Sequence, residues 1–149
     1  MLVYRILPTK YIDKFVGSGR VARWNSDDVE IIYTASSRSL ACLENAVHRS
    51  QPALSQLFSV LTINCPDILK VKIISLKDLP LQWTDFNQMF FTQNIGDKWA
   101  RERETAVLQV PSAIINEEVN YLLNPNHKDF AKIKVIKSQP FTFDSRIKD

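Results

Sequence analysis

The sequence predicts a single α+β domain, and three observations lead there. Segments of strand character fall toward both ends of the chain. The stretches with helical periodicity lie between them. All 149 residues run on with no repeat, low-complexity segment or linker, a length that suits one core spanning 1–149. Strands outside and helices inside imply α+β and not a doubly wound parallel sheet.

In chain order, residues 3–7 read as a first strand and 11–15 as a short turn of helix. Residues 17–28 form a polar loop whose glycines permit unusual backbone angles. Residues 30–34 are β-rich, and Ser36 or Ser37 can cap a helix that runs to about Arg49. Residues 57–64 and 69–74 alternate as strands on either side of a Cys65-Pro66-Asp67 turn. Thr84 or Asp85 can start a helix through Phe91, and 97–104 reads as another, separated from it at Gly96. Residues 106–115 form a strand interrupted by Pro111, which implies an edge or a kink at Ser112. Asn124-Pro125-Asn126-His127 is a turn, and 132–137 and 141–143 close the chain as two strands.

Composition excludes several classes. A net charge of +3 is too small to imply direct nucleic-acid binding. The locally basic segment 128–148 reads as a solvated face of terminal strands. Two cysteines, Cys42 on a helix and Cys65 closing an apolar run, read as small buried hydrophobes; they give no disulfide framework and fit a reducing cytoplasm. The first residues lack a basic region followed by a long apolar stretch, so no signal peptide is expected. No run approaches the roughly 18 apolar residues of a membrane span. His48 and His127 share no metal-ligand spacing, so no metal site is expected. Gly17-Ser18-Gly19 is followed by no Gly-Lys-Ser/Thr and matches no dinucleotide fingerprint. Ser112 lies in no Gly-x-Ser-x-Gly elbow, which argues against a hydrolase nucleophile.

Glu44 is the residue hardest to dismiss. At about 100° per residue, Leu40, Leu43 and Val47 form an apolar stripe, and Glu44 falls about 60° from its centre. A carboxylate on a packed face is costly unless it is paired or used. A buried Glu–Arg pair, or a pair with His48 one turn on, explains it as well as a functional site does. Arg20 and Arg23 can bind phosphate oxygens through the guanidinium fork, or can simply be surface residues. Tyr33, in an apolar strand, can face a ligand or pack in the core.

Taken together, the ordered motifs are more specific than any one of them. Arg23-Trp24-Asn25, Tyr33-Thr34, Leu43-Glu44 with His48, Ile95-Gly96-Asp97-Lys98-Trp99, Val110-Pro111-Ser112 and Asn120-Tyr121-Leu122-Leu123-Asn124-Pro125 with His127 occur in this sequence order. The chain resembles the RES domain, named for an arginine, a glutamate and a serine, from Tyr4-Arg5 to Phe143-Asp144-Ser145-Arg146. The resemblance implies a fold like that of ADP-ribosyltransferases, with central mixed or antiparallel sheets and flanking helices. RES proteins are the toxin halves of bacterial toxin–antitoxin pairs, and their members consume NAD by hydrolysis, phosphorolysis or transfer of ADP-ribose to a protein. Carried over, Arg23, Tyr33, Glu44 and Ser112 are the expected catalytic residues, with Arg20 and Asn25 as further NAD contacts. Many members have glycines before the arginine, where this chain has Val21-Ala22. NAD is then a consumed substrate, and no cofactor is implied. The implied partner is a cognate helix-turn-helix-type antitoxin, with a homodimer allowed within that complex.

The chemistry suits these residues. Breaking the nicotinamide–ribose bond passes through an oxocarbenium-like state with an already cationic leaving group, so no general acid is required. Arg23 can clamp the pyrophosphate, Tyr33 can pack against a ring, and Glu44 can stabilise the developing positive charge. Ser112 can orient the nicotinamide ribose or amide. The leading expectation is an NAD-depleting enzyme. The alternatives are an ADP-ribosyltransferase acting on a protein and a non-catalytic binding module of the same fold.

Overall fold

A computed structural model describes residues 1–148. Seven strands form one mixed sheet: β1 (Leu2–Pro8), β2 (Ile32–Ala35), β3 (Phe58–Asn64), β4 (Val71–Ile73), β5 (Val107–Pro111), β6 (Val119–Leu123) and β7 (Lys134–Phe141). Two helices, α1 (Arg38–Val47) and α2 (Met89–Glu102), complete the architecture, which is α+β as the sequence implies. The strand order is β4-β5-β6-β2-β1-β3-β7. Every neighbouring pair is antiparallel except β4 and β5, whose long connection carries α2.

The sheet has a weak seam. β1 pairs with β3 over seven residues, from Leu2↔Asn64 to Pro8↔Phe58. Its pairing with β2 is a single register pair, Tyr4↔Ala35. The sheet therefore parts between a β4-β5-β6-β2 half and a β1-β3-β7 half.

Pleating puts alternate side chains on opposite faces. On one face α1 packs Leu40 and Ala41 with Ile6, Phe58 and Val60 of the smaller half and with Ala35 of β2 at the seam. On the same face the other half packs Leu108, Val110 and Leu122 against Trp24, Trp83 and Trp99. The opposite face is a continuous layer of Val3, Leu7, Ile32, Leu61, Ile63 and Leu123.

Several elements depart from the sequence expectation. The residue 11–15 turn is instead a 3-10 turn at Thr9–Tyr11. The helix pair expected on either side of Gly96 is one helix, α2. Gly96 stays in its interior because a Cβ there would lie 1.7 Å from the Trp24 carbonyl oxygen. Close approach of the loop outweighs the helix penalty of about 1 kcal/mol for glycine. The two terminal strands are one, β7, and Pro140 within it is tolerated because β7 is an edge. β6 is an element the sequence reading lacks. Ser37 is the cap of α1, accepting the Leu40 amide at 3.0 Å. The buried side of α1 is Leu40, Ala41 and Ala46, whereas Leu43 is half-buried and Val47 exposed. The alanines let the helix lie close to the sheet. Cys65 is buried as expected, and Cys42 is half-buried. No helix of the described residues is long and apolar enough to cross a membrane.

Candidate active site

Where the sheet parts, a cavity of about 1220 Å³ opens between α1 and the start of α2. Ordinary small-molecule sites occupy roughly 300–1,000 Å³, so a dinucleotide has room here. β1 contributes Tyr4 to Ile6, β2 contributes Tyr33 to Ala35, α1 contributes Glu44, and His48 follows just after that helix. The loop before β2 contributes Val21 to Trp24.

That loop reads as polar and mobile in composition, yet it is tied to α2. Thr92 Oγ1 donates to the Arg23 carbonyl, and Gln93 Nε2 donates to Ala22 O at 2.9 Å. Buried Asp97 accepts the Ser26 amide at 2.9 Å and also the Ser26 hydroxyl. Arg23 is thereby delivered to the cavity wall. Its guanidinium lies over the Trp83 ring, 5.7 Å from the centroid, and Nη1 donates to Trp83 O at 3.3 Å. The remaining guanidinium N–H groups have no partner among the described residues. Burial lowers the Arg23 pKa, while the charge of Glu44 opposes that shift.

Tyr33 lines the cavity and also anchors the loop. Its hydroxyl donates to Asn25 Oδ1 at 2.6 Å and accepts the Trp24 amide at 3.1 Å. Burial pushes its pKa far up, so it stays a neutral donor. Asn25 sits behind it, 2% exposed, with Nδ2 donating to the carbonyls of Arg20, Ser26 and Val29. Asn25, expected from sequence as an NAD contact, has its amide saturated by the loop and lies outside the cavity lining. Arg20 likewise is exposed and does not line the cavity. The backbone turns at Gly19, φ +69°, and carries Arg20 outward.

Glu44 reaches the cavity from α1, between Leu40 and Ala41 around the helix. Ser112 Oγ donates to its Oε1 at 2.9 Å and Asn120 Nδ2 donates to the same oxygen at 2.7 Å. No ion pair joins it to Arg23 or His48 within 4.0 Å among the described residues, which removes both structural pairings. Ser112 is fully buried at the end of β5 and its Oγ also accepts the amides of Ile114 and Ile115 at 3.1 Å each. With those bonds filled Ser112 holds Glu44 and lies outside the cavity lining, whereas the sequence places it against the nicotinamide ribose or amide. The structure therefore brings Arg23, Tyr33 and Glu44 to one cavity, with Ser112 behind Glu44.

Two residues were not singled out from sequence. Asn120 lines the cavity from β6. Arg5 lines it at the seam, bonded through Nη1 to Val16 O at 3.0 Å, with burial lowering its pKa and no carboxylate partner among the described residues. A signal for Arg5 was present: it shares an alternation with buried Val3 and Leu7, a charge on an apolar face just as Glu44 is.

Comparison with known proteins gives the family and the fold. A protein of Sphingobium sp. (strain YBL2) described as a Prs ADP-ribosylating toxin is 37% identical over 127 residues, covering 84% of this chain and 79% of that protein. A Toxin Res of Photorhabdus laumondii subsp. laumondii is 35% identical over 152 residues, 99% of this chain and 97% of that one. The fold is similar to that found in the crystal structure of the M. tuberculosis MbcT–MbcA toxin–antitoxin complex, with a TM-score of 0.77, 18% identity and coverage of 95% of this chain and 84% of that one. The RES domain pattern matches residues 2–144, and the chain belongs to the RES domain family.

Proposed function

We propose that this protein is the toxin of a bacterial toxin–antitoxin pair and that it cleaves the nicotinamide–ribose bond of NAD. The observation that carries the reading is one carboxylate, Glu44, held with an oxygen free in a cavity that also receives the Arg23 guanidinium. Arg23 receives the pyrophosphate. Tyr33 gives the nicotinamide or its ribose a flat wall. When the bond from C1′ to the ring nitrogen breaks, its electron pair leaves with nicotinamide, which departs neutral. Glu44 stabilises the positive charge that develops on the ribose. A nucleophile then bonds to C1′ and gives up its proton to solvent.

Water or phosphate as acceptor depletes NAD; a protein side chain as acceptor becomes ADP-ribosylated. The second outcome is favoured by the description of the Sphingobium relative, so it stands as the alternative. A helix-turn-helix-type antitoxin that covers the cavity mouth supplies control in the cytoplasm, and the loop carrying Arg23 is the surface it covers.

The test is incubation of purified protein with NAD, with and without phosphate and with bacterial lysate, followed by mass spectrometry. Nicotinamide release with ADP-ribose or its 1″-phosphate supports depletion. Release that needs lysate, with a mass increase on a protein, supports the alternative. Absence of nicotinamide under every condition overturns both. Expressed alone, the protein should arrest bacterial growth and lower cellular NAD.

A further inference from the structure

We propose that Asn120 is a positioning residue of the reaction, holding Glu44 so that one carboxylate oxygen, Oε2, is reserved for the substrate. The inference rests on the role of Glu44 proposed above. Glu44 accepts two hydrogen bonds, and both end on Oε1. Oε2 accepts none and is not buried, on a side chain that lines the cavity. A glutamate on a helix ordinarily rotates among several rotamers; here two donors from the sheet select one.

The two donors are fixed in different ways. The Ser112 oxygen accepts two backbone amides, so its proton has one direction left, toward Glu44. Asn120 is fixed by the sheet: β6 is paired on both sides, with Asn120 opposite Ala35 of β2 and Val110 of β5. Its amide group must present nitrogen to the carboxylate, because its oxygen would face Oε1 acceptor to acceptor.

That orientation has a cost, and the cost is visible. Asn120 Oδ1 is the one buried side-chain nitrogen or oxygen without a hydrogen-bond partner among the described residues. Burying an unpaired acceptor lowers stability. Stability alone would favour an apolar residue at this wall, like its neighbours Ala35 and Val110. The asparagine makes sense through what its donor does for Glu44: a preorganised carboxylate whose free oxygen needs no rearrangement as charge develops.

The experiment measures nicotinamide release from NAD for the wild type, N120A and N120D, with thermal melting of each. N120A is expected to lose about 10- to 100-fold in kcat, the scale of a misplaced catalytic group, with KM for NAD within about threefold. Its melting temperature should hold or rise, since the unpaired oxygen is gone. N120D, closer in shape, should fall below N120A at pH 8, because a carboxylate oxygen would then face Oε1. A merely structural role gives the reverse order, with the isosteric aspartate keeping more activity than alanine. Wild-type kcat in N120A, or N120D more active than folded N120A, overturns the proposal while leaving NAD cleavage intact. A wild type that releases no nicotinamide overturns the Glu44 reading and this inference with it. If N120D does not fold, the kcat of N120A decides alone.

Discussion

Replacing Glu44 with glutamine separates charge from shape at the centre of the cavity. The donors on Oε1, Ser112 Oγ and Asn120 Nδ2, are indifferent to whether the acceptor is a carboxylate or an amide oxygen. The glutamine orients itself: its oxygen takes the Oε1 place, since its nitrogen there would meet the Asn120 NH2 donor to donor. The amide nitrogen then occupies the Oε2 place, facing the cavity as a donor where an anion stood. No buried hydrogen bond is lost, so the melting temperature should change little. The charge opposite the oxocarbenium-like ribose is lost, and one preorganised electrostatic contact of this kind is worth about 3 kcal/mol, roughly 10²-fold in rate. The assay is nicotinamide release at saturating NAD, beside a thermal melt. Wild-type kcat in a folded E44Q would refute the assignment. A large fall in melting temperature with kcat retained would show that Glu44 serves packing.

Further expectations follow from the other walls of the site. Arg23→Lys keeps the net charge but loses the planar stack on Trp83 and the paired donors, so KM for NAD should rise roughly tenfold, the value of one charge-assisted hydrogen bond of about 1.5 kcal/mol; unchanged affinity by calorimetry would move the clamp elsewhere. Tyr33→Phe strips a donor from Asn25 and an acceptor from the Trp24 amide, and should cost about 1–3 kcal/mol in a denaturant melt; an unchanged midpoint would refute Tyr33 as the anchor of the loop. Gly96→Ala drives a Cβ into the Trp24 backbone and should lower stability by about 1–3 kcal/mol or more, with NAD turnover falling as the Arg23 loop is pushed off α2; a wild-type melt would contradict the close approach.

What the sequence revealed depended on whether a residue looked out of place along its own element. Glu44 did, because a helix period turns a charge on a packed face into a visible anomaly. Arg23 and Tyr33 gained meaning only from the ordered motifs around them. Asn25 and Ser112 lie in those motifs too, and each bonds another side chain, Tyr33 eight residues on and Glu44 68 residues back. Asn120 opens another of those motifs, but its bond to Glu44 is not legible there, because its partner lies on α1, 76 residues away. The buried side of α1 was misjudged because periodicity ranks residues by hydrophobicity, whereas Ala41 and Ala46 are buried for being small. Gly96 read as a break because local propensity holds no information about Trp24.

The weak seam of the sheet ties these details together. A cavity between two fully paired strands cannot open without breaking a ladder of hydrogen bonds, but β1 and β2 share a single register pair. The distance between the two halves must then be set by whatever bridges them on the cavity face. That bridge is α1, which packs Leu40 and Ala41 against Ala35 of β2 and Ile6 of β1 and donates from Asn45 Nδ2 to the Ile6 carbonyl at 3.1 Å. Glu44 is the residue before Asn45, so the helix that sets the width of the cavity also delivers its carboxylate. The opposing donors on Glu44 come from Asn120 of β6 and from Ser112 at the end of β5, both in the far half of the sheet. Glu44 is thus held from across the parting, by bonds separate from those that join α1 to Ile6 and Ala35. The placement of the Glu44 carboxylate and the width of the cavity therefore both depend on where α1 sits.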